Sequence, residues 1–106
     1  MSQKVVVRMS AQLQIKSRTR SKLKEPGKYK VVMYNDDFTP MDFVVNILIE
    51  VFRKTEQEAM AIMLAIHKGT KEVVGEYYYD IAKTRVDICT RRAREEGYPF
   101  LVKVEE

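Results

Sequence analysis

Apolar and polar residues alternate through KYKVVMY, from Lys28 to Tyr34, so that Tyr29, Val31 and Met33 share one face. A period of two in β-branched and aromatic residues predicts a strand with one buried side. Beyond Asn35-Asp36-Asp37 the period lengthens, and Phe43, Val44, Ile47, Leu48, Val51 and Phe52 recur at helical spacing. Thr39-Pro40-Met41-Asp42 predicts the start of that helix, with Thr39 as N-cap, Pro40 at the first helical position and Asp42 closing a capping box. A second box, Thr55-Glu56-Gln57-Glu58, heads a stripe of Ala59, Ile62, Met63 and Ile66, and Gly69 stands at its far end. KEVVGEYY predicts a second strand, with Gly75 marking a bulge or a close backbone approach. Ile81, Ala82, Val86, Ile88, Cys89 and Ala93 share one broad face of a third helix, stopped by Gly97 and Pro99, and FLVKVE closes as a third strand.

The element order is therefore β-α-α-β-α-β. Three strands make too small a sheet to bury amphipathic helices on both faces. The expected fold class is α+β, a three-stranded antiparallel sheet with three helices packed largely against one face. With 106 residues there is room for one such domain. No apolar run approaches the roughly 20 residues of a membrane span, which predicts a soluble chain. A single cysteine, Cys89, allows no internal disulfide and fits a reducing compartment; its place on an apolar helical face makes it a core residue.

Charge changes this picture at one end. The net charge of +4 divides unevenly: residues 1–27 hold seven Lys and Arg against Glu25 alone, while residues 28–106 hold twelve cations and fourteen anions. The first 27 residues lack steady periodicity and end in Pro26-Gly27, so they are expected to form a flexible basic extension ahead of a domain over 28–106. An Arg- and Ser-bearing extension nearly free of acid also has the composition of a cleaved organelle transit peptide, which would place the protein in a plastid. The mildly acidic domain argues against a nucleic-acid platform, so a ribosome- or RNA-associated module using the basic arm is the alternative rather than the leading reading.

The candidate chemistry lies in YNDDFTPMDF. Asn and Asp favour turns because their side chains bond nearby backbone, so NDD can be simple punctuation between strand and helix. Asp36, Asp37 and the sole histidine, His67, lack a Ser or Cys nucleophile beside them, and they are too few for a structural metal set. No catalytic residue, metal or cofactor is expected. His67 follows Ile66 directly and lies four residues past Met63, so all three can flank one end of the second helix. If that end meets Met41 and Phe100, the result is an apolar hole rimmed by Asn35, Asp36 and His67. Such a rim suits a cation attached to an apolar group.

YKVVMYNDDFTPMDFVV, MLAIH, AKTRV and AREEGYPF together resemble the ClpS family, adaptors of the bacterial Clp protease. The resemblance covers residues 28–106 and implies a sandwich of three strands and three helices. It implies a non-enzymatic adaptor that binds the exposed N-terminal Leu, Phe, Tyr or Trp of a substrate, an N-degron. The adaptor would act as a monomer in the cytoplasm, away from membranes, and pass the substrate to the N-terminal domain of the ClpA or ClpC unfoldase for degradation by ClpP. By matching positions, Asn35, Asp36 and His67 would bind the α-amino group. Asp37, Thr39, Met41, Val44, Met63, Ile66 and Phe100 would line the side-chain pocket, and Asp80 and Arg85 would face the unfoldase. Two positions depart from the family pattern: Arg85 replaces the usual Lys, and Phe100 stands where an aliphatic residue is common.

Overall fold

The computed structural model describes residues 27–106, so all of the basic extension expected over 1–27 except Gly27 lies outside the described residues. The elements follow the expected order: β1 (Lys28–Tyr34), α1 (Met41–Glu50), α2 (Glu56–Lys68), β2 (Lys71–Tyr78), α3 (Tyr79–Glu96) and β3 (Leu101–Glu105). β1 is central, antiparallel to β2 on one side and β3 on the other.

The pleat sorts the sheet into two faces. Val31 and Met33 of β1, with Val74 of β2 and Val102 of β3, join Ile47 and Leu48 of α1, Met63 and Ile66 of α2, and Val86 and Cys89 of α3 in one buried cluster. All three helices therefore lie over one face, as a small α+β fold requires. Val32 points to the opposite face, outside that cluster, yet is only 2 % exposed. It sits on the central strand between Val73 and Lys103. The alternation thus reads correctly for side but not for burial.

Gly75 does what its place in a strand predicts. The register slips between Val31 and Val32, which pair with Gly75 and Val73, so Val74 is the extra residue of a bulge and turns into the core. A Cβ on Gly75 would stand 2.7 Å from the Tyr77 hydroxyl oxygen, so the glycine also makes room for that ring.

Caps and stops define the helices. Thr55 and Glu58 form the expected reciprocal box: Glu58 N–H donates to Thr55 Oγ1 at 3.1 Å, and Thr55 N–H to Glu58 Oε1 at 2.9 Å. α3 ends at Gly97 in the left-handed region, φ 85°, with Tyr98 N–H donating to Ala93 O. Gly69 caps α2 through its N–H to Ala65 O, but in extended rather than left-handed backbone. The end of α1 has no glycine: Arg53 takes the left-handed conformation, φ 54°, and Lys54 N–H reaches back to Leu48 O. On α3, Ala82, Val86, Cys89 and Ala93 are buried as expected, but Ile81 faces outward. It lies in the first turn of a helix that begins directly after Tyr78.

Candidate functional site

The site grows from the turn between β1 and α1. Asn35 N–H donates to Thr70 O at 2.9 Å, tying the end of β1 to the turn before β2. The Asn35 side chain continues that tie, its Nδ2 reaching the carbonyls of His67 at 3.5 Å and Gly69 at 3.3 Å. With the amide nitrogen directed at the end of α2, the acceptor that Asn35 can offer a ligand is Oδ1.

Asp36 builds the rest of the turn. Its Oδ1 accepts the N–H groups of Phe38 at 2.8 Å and Thr39 at 2.7 Å, and its Oδ2 accepts the Thr39 hydroxyl at 2.8 Å. This corrects the expected capping box at Thr39. The N-cap of α1 is Pro40, without a side-chain cap bond, and helical bonding starts with Phe43 and Val44 N–H to Pro40 O. The physical reason is competition for the Thr39 N–H, which Asp36 Oδ1 accepts in place of the Asp42 carboxylate a box would use, while the Thr39 hydroxyl is turned to Asp36 Oδ2. Partial burial works to raise the Asp36 pKa, but the bonds from Thr39 and Phe38 outweigh it and hold the carboxyl below its ordinary value. Asp36 is therefore an anion at neutral pH.

Beside this turn lies a pocket of about 350 Å³. One wall is the turn itself and the first helical turn of α1, contributing Asp37, Thr39, Met41 and Val44; the facing wall is Met63, Ile66 and His67 at the end of α2. Spacing explains both walls, since residues three or four apart share a helical face. Phe100, 1 % exposed, is the remaining apolar side. Arg94 Nη1 donates to the carbonyls of Tyr98 and Phe100, and the Phe43 ring meets Phe100 edge-on with centroids 6.2 Å apart, so the ring is held from two directions.

All ten residues assigned from the sequence to the amine site and side-chain pocket line this one cavity. Tyr34, Phe38 and Pro40 line it too and were not among them. Phe38 carried a usable signal, an aromatic inside a polar turn with no apolar stripe to join. Asp80 and Arg85 do not line the pocket. Both lie on α3, where Asp80 Oδ1 accepts its neighbour Ile81 N–H and the Arg85 guanidinium stands 5.1 Å above the Tyr77 ring. Tyr78, Tyr79 and Ile81 beside Asp80 are exposed.

No cysteine or serine is among the described residues lining the pocket. Cys89 lies away from it, and burial pushes its thiol pKa up to about 12, so it is an inert core residue. What remains is an apolar cavity whose mouth carries a carboxylate, an amide oxygen and an imidazole. That combination can hold an apolar group while accepting hydrogen bonds from a cation attached to it.

A family model described as "ATP-dependent Clp protease adaptor protein ClpS" matches residues 24–103. Among curated proteins, an ATP-dependent Clp protease adapter protein ClpS from Oleidesulfovibrio alaskensis is 46 % identical over 84 residues, covering 79 % of this chain and 81 % of that protein. Its counterpart from Helicobacter hepaticus is 51 % identical over 84 residues, covering 79 % and 85 %. Among solved structures, Agrobacterium tumefaciens ClpS2 bound to L-phenylalaninamide aligns with a TM-score of 0.73 at 36 % identity, covering 76 % of this chain and 98 % of that one.

Proposed function

The chain belongs to the ClpS family of ATP-dependent Clp protease adaptors, and from that premise we propose that it binds the exposed N-terminal residue of substrate proteins and delivers them to a Clp unfoldase. The observation that carries this reading is the pairing of an apolar cavity with ionised Asp36 and outward Asn35 Oδ1 at its mouth. An N-terminal Leu, Phe, Tyr or Trp presents that pair of features in one residue, a charged amine next to a large apolar side chain. L-Phenylalaninamide, the ligand of the Agrobacterium relative, has the same two features.

In this reading Asn35 and His67 accept hydrogen bonds from the α-amino group, with Asp36 supplying charge directly or through water. Asp37, Thr39, Met41, Val44, Met63, Ile66 and Phe100 enclose the side chain. No bond is made or broken, so the protein is an adaptor and not an enzyme. Asp80 and Arg85, among the exposed Tyr78, Tyr79 and Ile81, form the face offered to the N-terminal domain of ClpA or ClpC. A monomer acting in the cytoplasm is sufficient for this role. Among the described residues no helix is long and apolar enough to cross a membrane.

Burying a Leu or Phe side chain contributes roughly 1.5–3 kcal/mol, and each hydrogen bond to a charged group roughly 1.5–3 kcal/mol. Lost translation and rotation offset several kcal/mol of that gross sum, leaving micromolar affinity, about −8 kcal/mol. The test is fluorescence anisotropy with peptides that differ only in residue one. Leu- and Phe-starting peptides bind, an Ala-starting peptide does not, and acetylation abolishes binding. Because an α-amino group has a pKa of about 7.7–8.0, it is charged below that value, and affinity falls as pH rises through it. An acetylated peptide that binds as well as the free one overturns the proposal.

A further inference from the structure

Phe38 is 76 % exposed, well beyond Met41 at 45 % and the other exposed large apolar side chains among the described residues. A single exposed apolar residue is ordinary and by itself means nothing. Two further observations set Phe38 apart. Its backbone is fixed, because its N–H and that of Thr39 both bond Asp36 Oδ1 while the Thr39 hydroxyl bonds Oδ2. Its ring is therefore carried on a held turn. Phe38 also lines the same pocket as Met41 while taking no part in the core cluster. An aromatic ring has on the order of 150–250 Å² to cover, and among the described residues most of the Phe38 side chain stays uncovered.

We propose that Phe38 forms a second subsite, which takes an apolar side chain at the second residue of the bound substrate. This rests on the pocket holding residue one. With the first side chain inside and the amine at the rim, the chain must leave through the mouth that Phe38 borders. Consecutive Cα atoms are about 3.8 Å apart, and side chains of an extended chain alternate in direction. Residue two therefore lies at the mouth with its side chain turned out of the cavity. A Leu, Met or Phe there buries area against the Phe38 ring. An Asp or Glu there meets Asp36 and Asp37 of the same turn and is disfavoured.

The experiment titrates labelled peptides starting Leu-Ala, Leu-Leu and Leu-Asp against the full chain and against Phe38→Ala and Phe38→Tyr, with an Ala-Leu peptide as control. Expected is a Leu-Leu preference over Leu-Ala of about three- to tenfold, with Leu-Asp weakest. In Phe38→Ala the Leu-Leu to Leu-Ala ratio falls to near one, whatever loss the two peptides share, and in Phe38→Tyr the ratio is kept. Equal binding of Leu-Leu and Leu-Ala to the parent, or a preference that survives Phe38→Ala, overturns the subsite. Failure of the pocket itself looks different, since no Leu-starting peptide would then exceed the Ala-Leu control.

Discussion

In the proposed function, Asp36 and Met41 divide the work of recognition between a fixed charge and a fixed obstacle. Asp36 was legible as an acid beside a helix start, but its dual use was not. The turn needs three of its acceptor sites, and a second site on Oδ2 remains for a ligand. Which of the neighbouring polar side chains captures which amide depends on geometry that sequence does not encode, and this is why Thr39 was misread as a helix cap. Met41, by contrast, lines the pocket as the resemblance implies, at the first position of α1, one residue later than the expected helix start, and is 45 % exposed. Pro40 precedes it and fixes the backbone, so its side chain stands at the mouth from a defined origin. Val and Ile carry two heavy atoms on Cβ with restricted rotamers and would meet the Met41 thioether at the neck, whereas Leu, Phe, Tyr and Trp branch further out. Selectivity of this kind comes from a clash against the wrong ligand as much as from attraction to the right one. Met41→Ala is expected to admit Ile- and Val-starting peptides while weakening Leu and Phe by about 1 kcal/mol of lost packing. Titrating the four peptides against parent and mutant decides it, and continued rejection of Ile and Val by the mutant rules Met41 out as the gate.

The elements were legible where local chemistry and tertiary packing agree. All six were predicted, because each carries its period over at least five residues and most end at a signal. The box at Thr55 survives because the Thr55 N–H goes to Glu58, whereas at Thr39 the corresponding N–H goes to Asp36. The stop of α1 was illegible for the opposite reason. Arg53 adopts a conformation that sequence readers assign to Gly or Asn, held there by the burial of Val51 and Phe52 just before it and by the bond from Lys54 N–H to Leu48 O. α2 matters to the proposed function because its far end supplies Met63, Ile66, His67 and the carbonyls bonded by Asn35. Its N-terminus, capped by Thr55, is remote from that end by the whole length of the helix. Thr55→Ala is thus expected to lower stability by about 1 kcal/mol, read as a shift in urea midpoint, with the affinity for a Leu-starting peptide unchanged. A matching loss of affinity would mean that fraying at the capped end reaches the pocket.

At the scale of the whole molecule, charge and site are segregated. Among the described residues, those lining the pocket fall between Tyr34 and Phe100, whereas seven of the nineteen Lys and Arg side chains lie in residues 1–27. The family match begins at residue 24, so this segment is nearly all outside it. The described walls already supply every residue assigned to ligand binding, so the proposed contacts do not call on this segment. Its seven cations attract a partner across roughly a Debye length, about 8 Å at physiological salt, which suits engagement of a large acidic surface better than of a small peptide. We therefore expect deletion of residues 1–27 to leave peptide affinity within about twofold, well below the tenfold that 1.4 kcal/mol represents, while slowing degradation of a Leu-starting substrate by the unfoldase and peptidase. The two quantities are measured on the same pair of proteins, affinity by anisotropy and delivery by loss of a fluorescent substrate. Raising salt should then slow the parent toward the rate of the truncated form and change the truncated form little, because only the parent carries the screened charges. A large loss of affinity on truncation would place part of the recognition site within residues 1–27, and equal delivery by both proteins would leave the basic segment without a role in handover.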